Sequence, residues 1–423
     1  MKGGTPVSTA ERWPAWPVHT QGTLAALAAV ARSGRWSVSG AWTGRITREQ
    51  EFAALFAEYC GTPHCVPTAN GTSALVVALE ALDVGAGDEV IVPALTWVAP
   101  ATAALNVNAR PVIVDVDPRT LCLDPDAVRA AVTKRTRAVI GVHLYGSMID
   151  LAALLSVTRA HGLALIEDCA QSHGSVYAGK RAGSIGDIGT FSMHQGKVLT
   201  SGEGGAAITS DAGLARRMEQ LRCDGRRYAS RTPRVGETHL REVAEVQGSN
   251  YCLSEFQAAL LIDGLGRLEA QNSHRAANAR YLDEKLAAIP GVVPIARPPR
   301  VEQQTYYHYA VRCEPDAFAG RASPAISRAL DAELGLWVHP PYAPLPRHPL
   351  YRPRTKRRYQ LGPEHWEAID PSRVHTPVAD RASRECVVFH HAALLGERAD
   401  MDAIVEAFAK VQRASGEIPI EEK

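Results

Sequence analysis

One lysine stands between a hydroxyl-bearing segment and a glycine-rich turn, in Thr190-Phe-Ser-Met-His-Gln-Gly-Lys197-Val-Leu-Thr-Ser-Gly-Glu-Gly-Gly205. Upstream, the apolar run Leu163-Ala-Leu-Ile166 leads into Glu167-Asp168-Cys169-Ala170-Gln171. A carboxylate ending a buried strand, followed by a lysine among Ser, Thr and Gly, has the parts that pyridoxal phosphate requires. That cofactor needs an amine to form an imine, an anion against its ring nitrogen and donors for its phosphate. Lys197 is the candidate amine and Asp168 the candidate anion. Alone, a lysine in such a loop is an ordinary surface residue, and Asp168 is an ordinary helix cap; their combination points to the chemistry. A nucleotide-binding phosphate loop is excluded, because that motif needs glycine where Phe191 stands and Ser or Thr where Val198 stands.

The remaining candidates are weaker singly. Asn70-Gly71-Thr72-Ser73 lies between a strand and a helix, where backbone N–H groups and hydroxyls make a phosphate cradle; Gly71 and Thr72 are also plain N-cap chemistry. Ser192 offers a further hydroxyl to the same phosphate, and Gln171 a donor to the cofactor's phenolate oxygen. Trp97, after Ile91-Val-Pro93, suits stacking on a pyridine ring, with core packing as the alternative. Asn250, before a helix, reads first as an N-cap.

These residues must be positioned by strands and helices, and the chain alternates the two. Helices are expected over Thr23–Ser33, Arg48–Tyr59, Ser73–Leu82 and Ala99–Asn106. Strands are expected at Cys65–Thr68, Glu89–Val92, Pro111–Val116, Arg137–His143 and Leu163–Ile166. Near-continuous apolar strands between helices imply an α/β architecture with a mainly parallel sheet. The rhythm ends after a helix over Leu253–Gln271; a second helix, Ser273–Ile289, opens a Pro-rich α+β region. We expect a large domain, 1–268, carrying an N-terminal arm whose first dozen residues are loose, and a small domain, 269–423. The tail Glu417–Lys423 is of low complexity.

Composition agrees with this division. The chain has 423 residues, 46 % hydrophobic, enough for about two domains. A formal charge of +1, from 46 basic and 45 acidic residues, gives no reason to expect nucleic acid. Arg352–Arg358 is a basic cluster best read as a solvated loop. No run approaches the roughly 20 apolar residues of a membrane span, and no leader peptide is visible. Eight cysteines without a CxxC pair predict reduced thiols, no metal site and a cytoplasmic protein.

Four ordered motifs resemble the sugar and cyclitol aminotransferase family (DegT/StrS type). They are Glu167-Asp-Cys-Ala-Gln-Ser-His-Gly174, Gly183-Ser-Ile-Gly-Asp-Ile-Gly-Thr-Phe-Ser192, Gly196-Lys-Val-Leu-Thr-Ser-Gly-Glu-Gly-Gly205 and Asn250-Tyr-Cys-Leu-Ser-Glu-Phe-Gln-Ala-Ala259. The resemblance runs from about Trp13 to beyond His391. It implies the aspartate-aminotransferase-like type I fold with a seven-stranded sheet, and pyridoxal 5′-phosphate held by Lys197, Asp168, Gln171, Ser192 and the Gly71–Thr72 turn under Trp97. It further implies a homodimer in which Asn250 reaches the partner's cofactor phosphate.

Trp13-Pro-Ala-Trp-Pro17, Arg35-Trp-Ser-Val-Ser-Gly40, Thr305-Tyr-Tyr307 and His339-Pro-Pro-Tyr342 are most similar to members that aminate keto-cyclitols with L-glutamine. Scyllo-inosose or its 2-deoxy analogue is then the expected acceptor, in aminoglycoside biosynthesis. Trp36, Tyr307 and His339 are candidate substrate contacts, each equally readable as a packed aromatic or a bonded core histidine. His194-Gln195-Gly196 departs from the other polar residues that many members carry before the lysine. Alternatives are a nucleotide-linked keto sugar as acceptor, which calls for convergent Arg or Lys, and a non-catalytic cofactor-binding regulator. A dehydratase of the same family would replace Lys197 by histidine.

Overall fold

A computed structural model describes residues 4–359 and 362–419. The last four residues of the low-complexity tail fall outside that range. Two helices, α1 (Gln21–Ser33) and α2 (Arg48–Cys60), open the chain after threonine N-caps and end at glycines in the left-handed conformation. The α/β alternation follows: β1 (His64–Thr68), α3 (Gly71–Ala81), β2 (Glu89–Pro93), α4 (Ala99–Asn106), β3 (Arg110–Val114), α5 (Pro125–Ala131), β4 (Thr136–Val142), α6 (Leu151–His161) and β5 (Ala164–Asp168). A short hairpin, β6 (Val176–Tyr177) and β7 (Lys180–Arg181), precedes β8 (Ile188–Ser192), β9 (Gly205–Thr209) and α7 (Ala212–Leu221).

The expected mainly parallel, seven-stranded sheet is present, in the order β1-β9-β8-β5-β4-β2-β3. Only β9 runs against its neighbours. The apolar runs explain the burial: Val90–Val92, Val139–Ile140, Leu165–Ile166, Ile188 and Ile208 join Leu75, Val77 and Leu79 of α3 in one core. Each such side chain contributes about 1.5–3 kcal/mol by leaving water.

A two-stranded ribbon, β10 (Arg226–Tyr228) and β11 (Leu240–Glu242), leads to α8 (Glu255–Leu286). Two helices were expected here, but α8 is one helix of 32 residues. Asn272-Ser273 reads as a start signal, yet Asn272 is fully buried mid-helix, its amide donating to the His173 carbonyl at 2.8 Å. The first half of α8 buries Ala258, Leu261 and Leu268 in the sheet core, and the second half buries Ala276, Ala279, Leu282 and Leu286 in another. That second core lies with the antiparallel strands β12 (Val292–Pro294), β14 (His308–Cys313), β16 (Cys386–His390) and β15 (Val338–His339), in that order, and with α9 (Ser323–Leu334). Strand β13 (Val301–Gln303) pairs instead with β6. After α10 (Pro363–Ala368) and α11 (Pro377–Glu385), helix α12 (Arg398–Arg413) closes the second core. Leu345, Tyr351, Ile369 and Ala379 return to the first core, so the chain beyond residue 269 serves both.

The arm is not loose. Ser8 N–H donates to Glu333 O at 2.9 Å, Trp13 Nε1 to Leu334 O at 2.7 Å, and Lys410 Nζ to Thr5 O at 2.7 Å; Arg12 pairs with Asp400 at 2.5 Å. Its Pro- and Trp-rich composition hides this, because the partners lie more than three hundred residues away. Among the described residues no helix is long and apolar enough to cross a membrane. Trp13→Ala removes the Leu334 bond and a half-buried ring, and should lower stability by about 1–3 kcal/mol in urea melts.

Candidate functional site

Parallel strands bring their carboxyl ends to one edge of a sheet, and ligands bind at that edge in open α/β folds. Here the edge collects the cradle after β1, Trp97 after β2, Asp168 ending β5, Ser192 ending β8, and Lys197 in the β8–β9 turn. Alternation along β5 separates two adjacent carboxylates by face, and they do different work.

Glu167 is fully buried and structural. Its Oε2 accepts from His143 Nε2 at 3.1 Å and Gly183 N–H at 3.0 Å; its Oε1 accepts from Ile185 and Gly186 N–H at 2.8 and 2.6 Å. Burial acts to raise its pKa, but the His143 bond and charge and the backbone donors outweigh it, and the net shift is downward. His143, Glu167 and Cys169 lie close enough to hold a metal ion, yet they bond to the protein instead: His143 Nδ1 accepts from Ile149 N–H at 3.2 Å, the Glu167 oxygens take four N–H donors, and Cys169 keeps its S–H, donating to the Glu167 carbonyl.

Asp168 is buried on the other face. Burial raises its pKa, against the Ala170 N–H that donates to Oδ1 at 3.0 Å and the charge of Lys197. Lys197 is 9 % exposed. Burial lowers its pKa to about 8, with Asp168 pulling the other way. Its Nζ lies 3.6 Å from the Tyr307 ring centroid. A buried lysine with a depressed pKa beside an anion is a nucleophile and a proton carrier near neutral pH.

The cradle is built by close approach. Asn70 caps α3, its Oδ1 accepting from Ser73 N–H at 2.8 Å and Ser73 Oγ at 3.0 Å. Among the described residues no partner takes up the Gly71 and Thr72 N–H groups, which leaves the positive end of α3 for an anion. A Cβ on Gly71 would stand 2.7 Å from that of Ser192, and one on Gly205 would stand 2.4 Å from the Asn70 backbone. Only glycines let Ser192 approach this helix end. An amine, a buried carboxylate and an anion cradle on one sheet edge fit pyridoxal phosphate.

The other expected residues divide. Trp97 is 46 % exposed, its ring 5.7 Å from both Tyr342 and His348, so one aromatic surface is open for stacking. Gln171 is buried, with Oε1 accepting from Tyr145 N–H at 3.3 Å and Nε2 pointing to Tyr342 Oη at 3.5 Å. Tyr307 covers Lys197. His339 meets His308 edge-on at 5.4 Å, with Nδ1 2.6 Å from the Pro340 carbonyl and Nε2 unpartnered. Trp36 is 56 % exposed and packs on Phe256, and no contact brings it to Lys197. Asn250 is also exposed; Ser254 caps α8, and the Asn250 side chain merely accepts from Cys252 N–H at 3.3 Å. Its N-cap reading therefore falls. The sequence reading overlooked Tyr145, His308, His390 and His391; the adjacent histidines at the end of β16 were a visible signal, but nothing local tied them to Lys197.

Comparison with known proteins places the whole chain. Residues 19–409 match the sequence profile of the DegT/DnrJ/EryC1/StrS aminotransferase family. The L-glutamine:2-deoxy-scyllo-inosose aminotransferase of Streptoalloteichus tenebrarius is 53 % identical over 418 residues, covering 99 % of this chain and 98 % of that one. The L-glutamine:scyllo-inosose aminotransferase of Streptomyces griseus is 46 % identical over 411 residues, covering 97 % and 96 %. Among solved structures, 3-amino-5-hydroxybenzoic acid synthase superposes with a TM-score of 0.81 at 32 % identity, over 95 % of this chain and 99 % of that one.

Glu167 supplies a pH test. Its folded pKa lies below the unfolded value, so its contribution is present above about pH 4.5 and is lost as pH falls through the folded value. Glu167→Gln leaves several donors facing one acceptor and should cost about 3–5 kcal/mol near pH 7. The gap from wild type in urea melts should narrow as pH falls below about 4.5.

Proposed function

We infer, from the premise that this chain belongs to the DegT/DnrJ/EryC1/StrS aminotransferase family, that it moves the amino group of L-glutamine to a free keto-cyclitol, scyllo-inosose or its 2-deoxy analogue, using pyridoxal phosphate. The observation that carries this is the setting of Lys197: a buried amine with a lowered pKa beside Asp168, among uncharged aromatic and imidazole side chains. Tyr307, His308, His339 and Tyr342 offer hydroxyl and ring nitrogen atoms, which suit a polyol. A nucleotide-linked sugar would need convergent cations for its pyrophosphate, and among the described groups acting on the imidazoles beside Lys197 the one further cation is Arg275. The names and near-complete coverage of the relatives support the same acceptor class and a place in aminoglycoside biosynthesis.

Pyridoxal phosphate, when bound, supplies an electron sink that stabilises negative charge at the substrate carbon. With the cofactor bound, Lys197 Nζ would take the proton from Cα of L-glutamine and hand it back one position along, with water supplying the oxygen of the keto acid that leaves; with the keto-cyclitol the same amine would carry the proton in reverse and water would be lost. Asp168 holds the ring nitrogen protonated, which favours the charge that develops. The N-terminus of α3, with Thr72 and Ser192, holds the phosphate. Trp97 would cover one face of the cofactor ring, and Gln171 would donate to its phenolate oxygen. Tyr307 and His339 contact the acceptor. Trp36 joins them only if a second subunit or a loop shift brings it near.

We place the protein in the cytoplasm as a homodimer; its eight cysteines are all free. The division into 1–268 and 269–423 is proposed on the two cores that share α8.

Borohydride reduction of the holoenzyme should fix cofactor on Lys197. Lys197→Ala should lose at least about 10²–10⁴-fold in amino transfer. Given a panel of keto-cyclitols and nucleotide-linked keto sugars with L-glutamine, the enzyme should aminate an inosose, read by product mass; turnover of nucleotide sugars alone would refute the acceptor.

Exposure of Asn250 in the single chain supports its assignment to the partner's cofactor phosphate. Lys197→Ala and Asn250→Ala homodimers should each be impaired. Mixed under subunit exchange, they place both lesions in one site and leave the other intact, so activity should partly return. No recovery despite exchange would assign Asn250 to its own chain.

A further inference from the structure

Two imidazoles converge on the carbonyl that precedes Lys197. His390 ends β16 and His391 follows it; their Nε2 atoms lie 2.8 and 3.0 Å from Gly196 O. A carbonyl only accepts, so both Nε2 atoms carry hydrogen. His390 Nδ1 accepts from Ala392 N–H at 3.3 Å, which leaves no place for a second proton. Its hydrogen bonds alone make His390 neutral. Burial, reinforced by the Arg275 and Lys197 charges, agrees and holds its pKa near 4, although the Gly196 bond acts upward. His391 is fully buried, and burial with the Arg275 charge pushes it well below its usual value.

The neighbouring atoms of the loop are held too. Trp16 Nε1 donates to Gln195 O at 3.1 Å while its ring stands edge-on to His391 at 4.6 Å. On the other side, Gly196 N–H reaches His194 Nδ1 at 3.3 Å and Lys197 N–H donates to His194 O at 2.8 Å. A Cβ at position 196 would stand 3.2 Å from Tyr307 Oη, so the peptide is seated closely. Two consecutive carbonyls are thus gripped from the arm and from β16, elements outside the sheet that carries the lysine.

We propose that His390 and His391 are positioning residues for Lys197: their paired donors fix the Gly196 carbonyl and thereby keep the lysine amine inside the pocket over Tyr307. This rests on Lys197 being the reacting amine. The clamp acts through one peptide group, the Gly196 carbonyl. Facing it are Tyr307 and His308 at the start of β14, His339 from β15, Arg275 from α8 and Lys197; the charged members are cations, so the imidazoles stay neutral. Without the clamp the loop relaxes, the amine gains water, and its pKa returns toward the ordinary lysine value.

The test compares wild type with the pairs His390→Ala/His391→Ala and His390→Gln/His391→Gln, the latter keeping an N–H donor at each position. Competitive acetylation of the cofactor-free protein, with peptide mass spectrometry, reads the titration of Lys197; thermal melts confirm folding. Wild type should show a midpoint near 8. The alanine pair should move upward toward about 10.4. In the loaded enzyme its kcat should fall about 10²-fold, as for a misplaced reacting group, with KM for L-glutamine unchanged. The glutamine pair should recover most of both. Should the alanine pair not fold, His390→Ala alone carries the comparison. An unmoved midpoint and kcat would overturn the clamp, as would a folded glutamine pair as impaired as the alanine pair. Failure of borohydride to fix cofactor on wild-type Lys197 would instead overturn the reading of the lysine itself.

Discussion

Glu167 anchors the arrangement on which the site depends. Its two oxygens receive one imidazole N–H and three backbone N–H groups, three of these four donors coming from the turn at 183–186. That turn feeds β8, and β8 presents Ser192 and the lysine loop. A carboxylate buried this deeply is tolerable only when every lone pair is engaged. By satisfying it with backbone donors of one turn, the fold turns an electrostatic necessity into a register. The neighbouring Asp168, on the opposite face of the strand, is then free to meet a ligand.

The pocket over Lys197 shows a second use of burial. His308, His339, His390 and His391 all have pKa values pushed below the usual imidazole range, chiefly by desolvation. Imidazoles that would begin to charge as pH falls toward about 6.5 in water stay neutral to lower pH here, and Lys197 is spared like-charge repulsion. The same desolvation lowers Lys197 itself, which Asp168 partly offsets. Around the Lys197–Asp168 pair the imidazole wall is polar without adding charge.

How much was legible in the sequence follows from range. Helix α4 was read with its observed bounds, because alanine-rich periodicity and a flanking proline are local signals. The roles of Glu167 and Asp168 were not separated, although strand alternation places adjacent side chains on opposite faces. Helix α8 was split at Asn272, whose polar side chain looks like a cap until the distant His173 carbonyl supplies its partner. The grip of His390 and His391 on Gly196 spans almost two hundred residues, and no local pattern announces it. The lysine loop was recognisable by residue type; what holds it was not.

The docked arm carries a consequence for synthesis. Thr5, Ser8, Arg12 and Trp13 emerge from the ribosome before the sheet does, yet their partners lie on α9 and α12, more than three hundred residues later. The seven-stranded sheet can assemble while those helices are still unmade; the arm must wait. Because Trp16 of the same arm grips the lysine loop, residues made before the sheet are among the last to settle, and the full set of contacts on that loop waits for α9 and α12.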